Sequence, residues 1–281
     1  MERFCKHIFL TIFLFVSGAT GFAQGFKTAA EFGFYGGGSY YLGDLNPAKH
    51  FVYSKPAFGA IFRYNLTRRY SLRLTASYGN VYGNDADADD AFQVQRNLSF
   101  KSDILELAFG VELDWFEYNI NNMKHPITPY FFYEIAFFKM NPTAELNGED
   151  YTLQNLGTEG QGTTLSDKEP YKLNQISVPL GIGLKFNLRP RMAISIEYGI
   201  RKTFTDYLDD VSGNYVDPDM LAAFNGSLAA EFSDRSVNGS ELSNVGFNRG
   251  NSSNKDWYAF YGIMFTFKPF KENVCNMRGW R

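Results

Sequence analysis

Cysteine is nearly missing from this chain. Of 281 residues only Cys5 and Cys275 are cysteines, which excludes an internal disulfide framework and any multi-cysteine zinc site once the N-terminal segment is cleaved. Histidine is as scarce: beyond residue 23 there are only His50 and His125, so general-base chemistry has few candidates. No long apolar run follows residue 23, and the mean hydropathy is −0.28, which excludes transmembrane helices. No block of positive charge stands out, so nucleic acid is a poor partner. Removing Glu2, Arg3 and Lys6 from totals of 27 Lys+Arg and 30 Asp+Glu leaves a mature net charge of −4.

Residues 1–23 read as a secretory signal peptide. Arg3 and Lys6 form a basic start, Ile8 to Val16 an apolar run, and "GFA" before Gln24 supplies the small residues of a cleavage site. The run is too short for a membrane span, and no cysteine follows it to make a lipoprotein site. The chain is therefore expected to be exported. Aromatics are abundant, at 17% with 18 Tyr and 28 Phe, beside 26 Gly. In an exported, mildly polar chain this is the composition of a transmembrane β-barrel, with aromatic girdles outside and polar residues facing the lumen.

The period-2 pattern tests that reading residue by residue. In "YSLRLTASYG", Tyr70, Leu72, Leu74, Ala76 and Tyr78 share one face, and Ser71, Arg73, Thr75 and Ser77 the other. Phe58, Ala60, Phe62 and Tyr64 oppose Gly59, Ile61, Arg63 and Asn65; Ile176 to Phe186 and Ile194 to Ile200 alternate in the same way. Segments near 30–42, 98–116, 128–139 and 257–267 complete a set of eight candidate strands, each about the ~9–11 residues that a tilted strand needs to cross a bilayer. A soluble sandwich would alternate too. Against it stand the Tyr and Trp flanking the apolar face, and the charges Arg63, Arg73, Lys185 and Arg201 set against Glu106, Glu112, Glu134 and Glu197 on the polar face.

The connections also alternate in length. "LTRR", "NINNMKHPI" and "NLRPR" are short, as periplasmic turns are, whereas "GNDADADDAFQ", residues 140–168 and residues 205–255 are long, as extracellular loops are. The expected fold is an all-β, eight-stranded antiparallel transmembrane barrel over 24–268, with both termini and a tail, 269–281, in the periplasm. A barrel this narrow is filled by its own side chains, so the inward Arg/Glu set is expected to be a salt-bridged plug, because buried ions must be paired.

Chemistry has few footholds. His50 in the first outer loop is placed to approach Asp209 or Asp210 above the rim; His125 precedes Pro126 in a short, solvated turn. No Gly-x-Ser-x-Gly or similar motif accompanies them, so no catalytic or cofactor-binding residue is assigned. "DADADD" (85–90) and Asp206, Asp209 and Asp210 in "TDYLDDVSGNY" are candidate Ca²⁺ ligands, since hard cations take clustered carboxylates. Neither has the EF-hand spacing. The preferred reading of the second is a rim cap, its carboxylates pairing with Arg235 or Arg249. Met220, Leu221, Phe224, Leu228 and Phe232 form one helical stripe, suited to a short helix over the barrel mouth. In the tail, Lys271, Arg278 and Arg281 are basic and Cys275 is unpaired, which marks this segment as a candidate partner contact.

Several islands, in order across nearly all of the mature chain, resemble one family: "YYLGDLNP" (40–47), "RNLSFKSDILELAFGVELD" (96–114), "ITPYFFYEIAFFKMNPTA" (127–144), "TEGQG" (158–162), "ISVPLGIGLKF" (176–186), "EYGIRKTFTDYLDDVSGNY" (197–215) and "RGNSSNKDWYAFYGI" (249–263). They look like the PorG-type outer-membrane proteins of the type IX secretion system. The resemblance implies a non-enzymatic component that ties the periplasmic ring of the lipoprotein PorK and of PorN to the outer membrane, while folded cargo leaves through a separate, larger translocon. It implies no catalytic or metal residue. The alternative is a stand-alone small surface barrel: structural, adhesive or lipid-active.

Overall fold

The computed structural model describes residues 29–121, 123, 126–237 and 243–269. The expected signal peptide, His125 and the tail residues Lys271, Cys275, Arg278 and Arg281 lie outside the described residues.

Eight long strands close on themselves: β1 (Ala29–Leu42), β2 (Lys55–Asn65), β3 (Tyr70–Asn84), β4 (Ser99–Asp114), β5 (Ile127–Lys139), β8 (Asn174–Arg189), β9 (Met192–Thr203) and β10 (Trp257–Phe267). Each pairs antiparallel with its neighbours in this order, and β10 returns to β1, from Phe32↔Phe267 to Leu42↔Trp257. Closure leaves the barrel wall without an edge, as a bilayer requires of any spanning sheet. Two ladders are irregular, β8–β9 between Asn187 and Arg189 and β5–β8 near Pro179. Pro179 has no N–H to give, and the β5–β8 pairing breaks between Tyr133↔Leu180 and Ala136↔Ser177.

The alternation is inverted relative to a soluble barrel. On β3, Ser71, Arg73, Thr75 and Ser77 are buried while Tyr70 and Leu74 are exposed. On β4, Leu105, Leu107, Phe109, Val111, Leu113 and the following Trp115 all face outward, with Trp115 72% exposed. That row covers about 33 Å of strand at ~3.3 Å per residue, or about 25 Å of height at a tilt near 40°, the height of a lipid-facing band. Lys101 and Asp103 of the same outward row lie beyond it, exposed, and mark its upper limit. Carbon faces outward and charge inward, which is stable only in lipid.

Both ends are covered. At the short-turn end, Tyr118 and Ile120 tuck in against Ala193, held by Tyr118 N–H donating to Arg68 O at 2.7 Å and Asn187 Nδ2 donating to Asn119 O at 3.0 Å. At the long-loop end an apolar core fills the space over the lumen: Leu45, Leu98, Met140, Leu153, Leu208, Val211 and Phe232 join Phe100, Phe138 and Tyr258 from the strand ends. The long connections supply it with elements absent from the sequence reading. In 140–173 a hairpin, β6 (Pro142–Leu146) and β7 (Glu149–Thr152), turns on Asn147-Gly148, both at positive φ, the residue pair that a tight hairpin turn favours. It pairs with the upper end of β4 at Lys101↔Thr143. Helices α1 (Ala91–Arg96) and α2 (Leu153–Leu156) precede the expected lid. That lid is two helices, not one: α3 (Pro218–Asn225) and α4 (Ser227–Ser233) are divided by Gly226 at φ 93. The break changes the buried stripe to Leu221, Ala229 and Phe232, and leaves Met220 and Phe224 exposed.

Candidate functional site

Inside the barrel the charged side chains of β2, β3, β4, β5, β8 and β9 meet in two ion-paired groups, a larger one around Arg73 and an Arg201–Glu106 pair. Arg73 lies at the centre of the larger group, with Nε 3.1 Å from Glu134 Oε1, Nη1 3.0 Å from Glu112 Oε2 and Nη2 3.0 Å from Glu197 Oε1. Arg63 reaches the same Glu112 oxygen at 2.9 Å, and Lys185 bonds Glu112 and, at 2.8 Å, Asp114. Nearer the long-loop end, Arg201 Nε is 3.2 Å from Glu106 Oε2. All eight ions named from the alternation are thus brought together in two connected groups.

The charge set read from the sequence leaves out the aromatic partners and two further acids, Asp114 and Glu31. Tyr130 donates to Glu197 at 2.6 Å and Tyr258 to Glu106 at 2.8 Å. The Arg73 guanidinium lies 4.0 Å over the Phe132 ring. Asp114 completes the Lys185 pair, and Glu31 accepts from Asn65 Nδ2 at 2.7 Å. The void bounded by Tyr35, Thr75, Glu197, Arg201, Phe260 and Met264 measures about 10 Å³, room for no more than about one water.

Above the lumen, "TDYLDDVSGNY" forms the centre of the cap. Asp210 adopts φ +68, a left-handed conformation that a non-glycine residue holds only when its surroundings fix it. Its carboxylate accepts from Thr158 at 2.5 Å and Tyr171 at 2.7 Å, and Arg249 Nη2 lies 3.7 Å away. Arg249, fully enclosed, also donates to Asp210 O, Ser233 O and Glu159 Oε1. Glu159 of "TEGQG" in turn accepts from the backbone N–H groups of Ser212 and Gly213, each at 2.9 Å, which ties the third outer connection to the fourth. The second is tied in by Arg96, which grips Asp85 with Nε at 2.7 Å and Nη2 at 2.8 Å and donates to Arg249 O and Asp44 O.

The three aspartates do not converge. Asp209 takes the Tyr41 hydroxyl and the Val211 N–H, Asp210 faces Arg249, and Asp206 has no hydrogen-bond donor on either carboxyl oxygen among the described residues. Among the described residues no group of three His, Cys, Asp or Glu side chains is arranged to hold a metal ion. Of the two expected partners Arg249 pairs and Arg235 does not; Arg235 donates to Glu145 O instead. His50 goes elsewhere as well. It bonds Tyr40 at 2.8 Å, whereas Asp209 bonds Tyr41; consecutive strand residues point to opposite faces, so the barrel wall separates the histidine from the acids.

Burial raises these cap carboxyls. It lifts Asp210 to about 6 even beside Arg249, and Asp206 to about 6. Asp209 is held well above the usual range by burial and then by the charge of Asp44, and Asp256 by burial and then by Asp209.

A closed antiparallel barrel with ions inside, an apolar belt outside and both mouths covered defines a small, filled transmembrane β-barrel protein. The chain belongs to the family described as "Domain of unknown function (DUF6089)", which matches residues 6–227; the match stops short of β10. No curated protein matches the sequence significantly. Among solved structures, the chain is similar to Neisserial surface protein A (8% identity, 86% of this chain and 99% of that one, TM-score 0.42). It is also similar to the attachment invasion locus protein Ail of Yersinia pestis (10%, 86% and 100%, 0.37) and the outer membrane protein OprG of Pseudomonas aeruginosa (11%, 86% and 97%, 0.37). Likenesses this remote carry no inference about function.

Proposed function

We propose that this protein is a non-enzymatic outer-membrane component of the type IX secretion machinery, anchoring or assembling a periplasmic ring of the PorK/PorN type. The observation that carries the reading is the filled lumen: a barrel whose interior is occupied by the Arg73 ion network leaves no room for folded cargo, which favours attachment as its contribution to export. The ordered sequence islands are what favour this machine, and "TEGQG" and "DYLDDVS" are the parts that meet in the cap through Glu159 and Ser212. The first strand starts and the last strand finishes at the short-turn end, where Ala29 pairs with Asn65 and Phe267 with Met192. The ring-facing surface is assigned to that end: the turns, with the exposed Arg68–Glu117 pair, joined by the tail residues Lys271, Cys275, Arg278 and Arg281 that the sequence offers as partner contacts.

A second reading, a stand-alone surface barrel, takes its support from the folded cap, which exposes Met220, Phe224 and Phe247 at the long-loop end. Affinity purification from native membranes separates the two. The anchoring reading expects ring proteins to co-purify with the full chain, and to be lost when it is truncated after Lys268 or when Cys275 and the tail arginines are replaced. Purification of the full chain without ring components, with cargo secretion intact in a deletion strain, would leave the surface-barrel reading.

A further inference from the structure

At the long-loop rim, three outward residues stand in one register row across the wall: Leu42, Trp257 and Lys202. Beneath them is an aromatic girdle in which the Tyr40 and Tyr198 hydroxyls bond at 2.7 Å and Tyr261 adjoins. The first outer connection does not rise into the cap along its whole length; part of it folds back over this outside wall. His50 bonds Tyr40, and Phe51, at φ 63, sets its ring 5.1 Å from both Tyr40 and Tyr261 and 5.8 Å from Tyr198. Tyr40 is thereby fully covered although it sits on the lipid-facing side.

Between this loop, the wall and residues 253–256 lies a cavity of about 570 Å³. Leu42, Ile200 and Trp257 give it an apolar side, and His50, Lys202 and Lys255 a polar one. Two carboxylates border it as well, but both are turned to other donors: Asp44 accepts from Asn251 N–H at 3.0 Å and Asp256 from Leu208 N–H at 2.9 Å. Lys202 stands 5.2 Å over the Trp257 ring and Lys255 donates to Ser252 O. Neither lysine makes a salt bridge among the described residues, although the charge of Lys255 also reaches the Asp206 carboxylate and partly offsets the burial that raises it.

Aromatic girdles sit at headgroup level, so two lysines immediately above one stand where lipid phosphates lie, and basic pockets at that height bind anionic headgroups. Their aliphatic stems follow the wall while the ammonium groups reach the interface. We propose that this cavity binds the phosphate-bearing headgroup of a lipid in the leaflet on the long-loop side. Lys202 and Lys255 hold the phosphate by charge-assisted hydrogen bonds, and Leu42, Ile200 and Trp257 receive the start of an acyl chain. The site rests on the transmembrane barrel, not on the secretion reading, and survives if that reading fails.

The test is native mass spectrometry of the full mature chain in neutral detergent, with diphosphorylated lipid A and its fully dephosphorylated counterpart as probes. The wild type is expected to retain the phosphorylated lipid in clear preference. The Lys202→Gln/Lys255→Gln double variant is expected to lose that preference about thirty-fold, with the heat-dependent gel shift of a folded barrel intact. Lys55→Gln/Lys139→Gln, which removes two other exposed wall lysines, leaves it unchanged. Equal retention of both probes by the wild type, which needs no variant to fold, overturns the proposal. So does a folded double variant that keeps the preference. Full displacement of the lipid by inorganic phosphate would make this a soluble-anion site and overturn the lipid assignment.

Discussion

Arg73 holds three carboxylates at once, Glu112, Glu134 and Glu197, each at 3.0–3.1 Å. Removing it leaves buried acids without their shared counter-ion, a change worth about 3–5 kcal/mol. Arg73→Met is therefore expected to lower the urea midpoint of the reconstituted barrel, and Glu134→Gln added to it to recover part of the loss; an unchanged midpoint for the single variant would mean the network contributes nothing. Gly181 makes a second prediction of the same scale. A Cβ there would run into the Phe132 ring and the Tyr198 carbonyl, so Gly181→Ala should cost about 1–3 kcal/mol by overpacking, read in the same titration. The ions of the lumen were legible in the sequence because Arg, Lys and Glu stand out on an alternating strand. Tyr130 and Phe132 were not. In "ITPYFFYEIAFF" both faces are largely apolar or aromatic, and only Thr128 and Glu134 mark which one turns inward.

The outer connections are elements in their own right, joined through Glu159, Arg249 and Arg96. Because Asp206, Asp209, Asp210 and Asp256 carry raised pKa values in the folded cap, the folded state binds more protons than the opened one. The stability this gives is fully present below about pH 4, the unfolded carboxylate value, and is lost as pH rises through the folded values, about 6 for Asp206 and Asp210. Hydrogen exchange of the 204–237 segment, corrected for intrinsic rates, should show the cap more protected at about pH 5 than at about pH 7.5, with Asp209→Asn flattening the difference; greater protection at the higher pH would contradict it. Arg249→Met is expected to open the same segment to protease while the barrel still shows its heat-dependent gel shift, since the burial it disrupts lies above the membrane. The eight barrel strands were legible from alternation and loop length. The cap was not, because its core is assembled from short apolar runs in separate connections, such as Leu45, Leu98, Met140 and Val211. Two signals for it went unread: Asn147-Gly148 at the β6–β7 turn, both at positive φ, and Asp217-Pro218 at the start of α3, where Asp217 caps the N–H groups of Asp219 and Met220.

The whole molecule has two cores of opposite character. In the bilayer the interior is ionic and the outside apolar, while above the bilayer the interior is apolar, as in a soluble domain. The Tyr118–Ile120 segment closes the other end. A charge-filled cylinder of this kind fits the proposed anchoring role, in which the barrel holds a position in the membrane and presents surfaces on both sides. Single-channel recording of the full chain in planar bilayers tests this most directly. A filled barrel predicts a baseline without unitary openings under applied voltage, for the wild type and also for a variant whose cap is loosened by Arg249→Met, because the lumen network lies below the cap. Stable ohmic steps from the wild-type protein would contradict the sealed lumen, and with it the assignment of this barrel as an anchor.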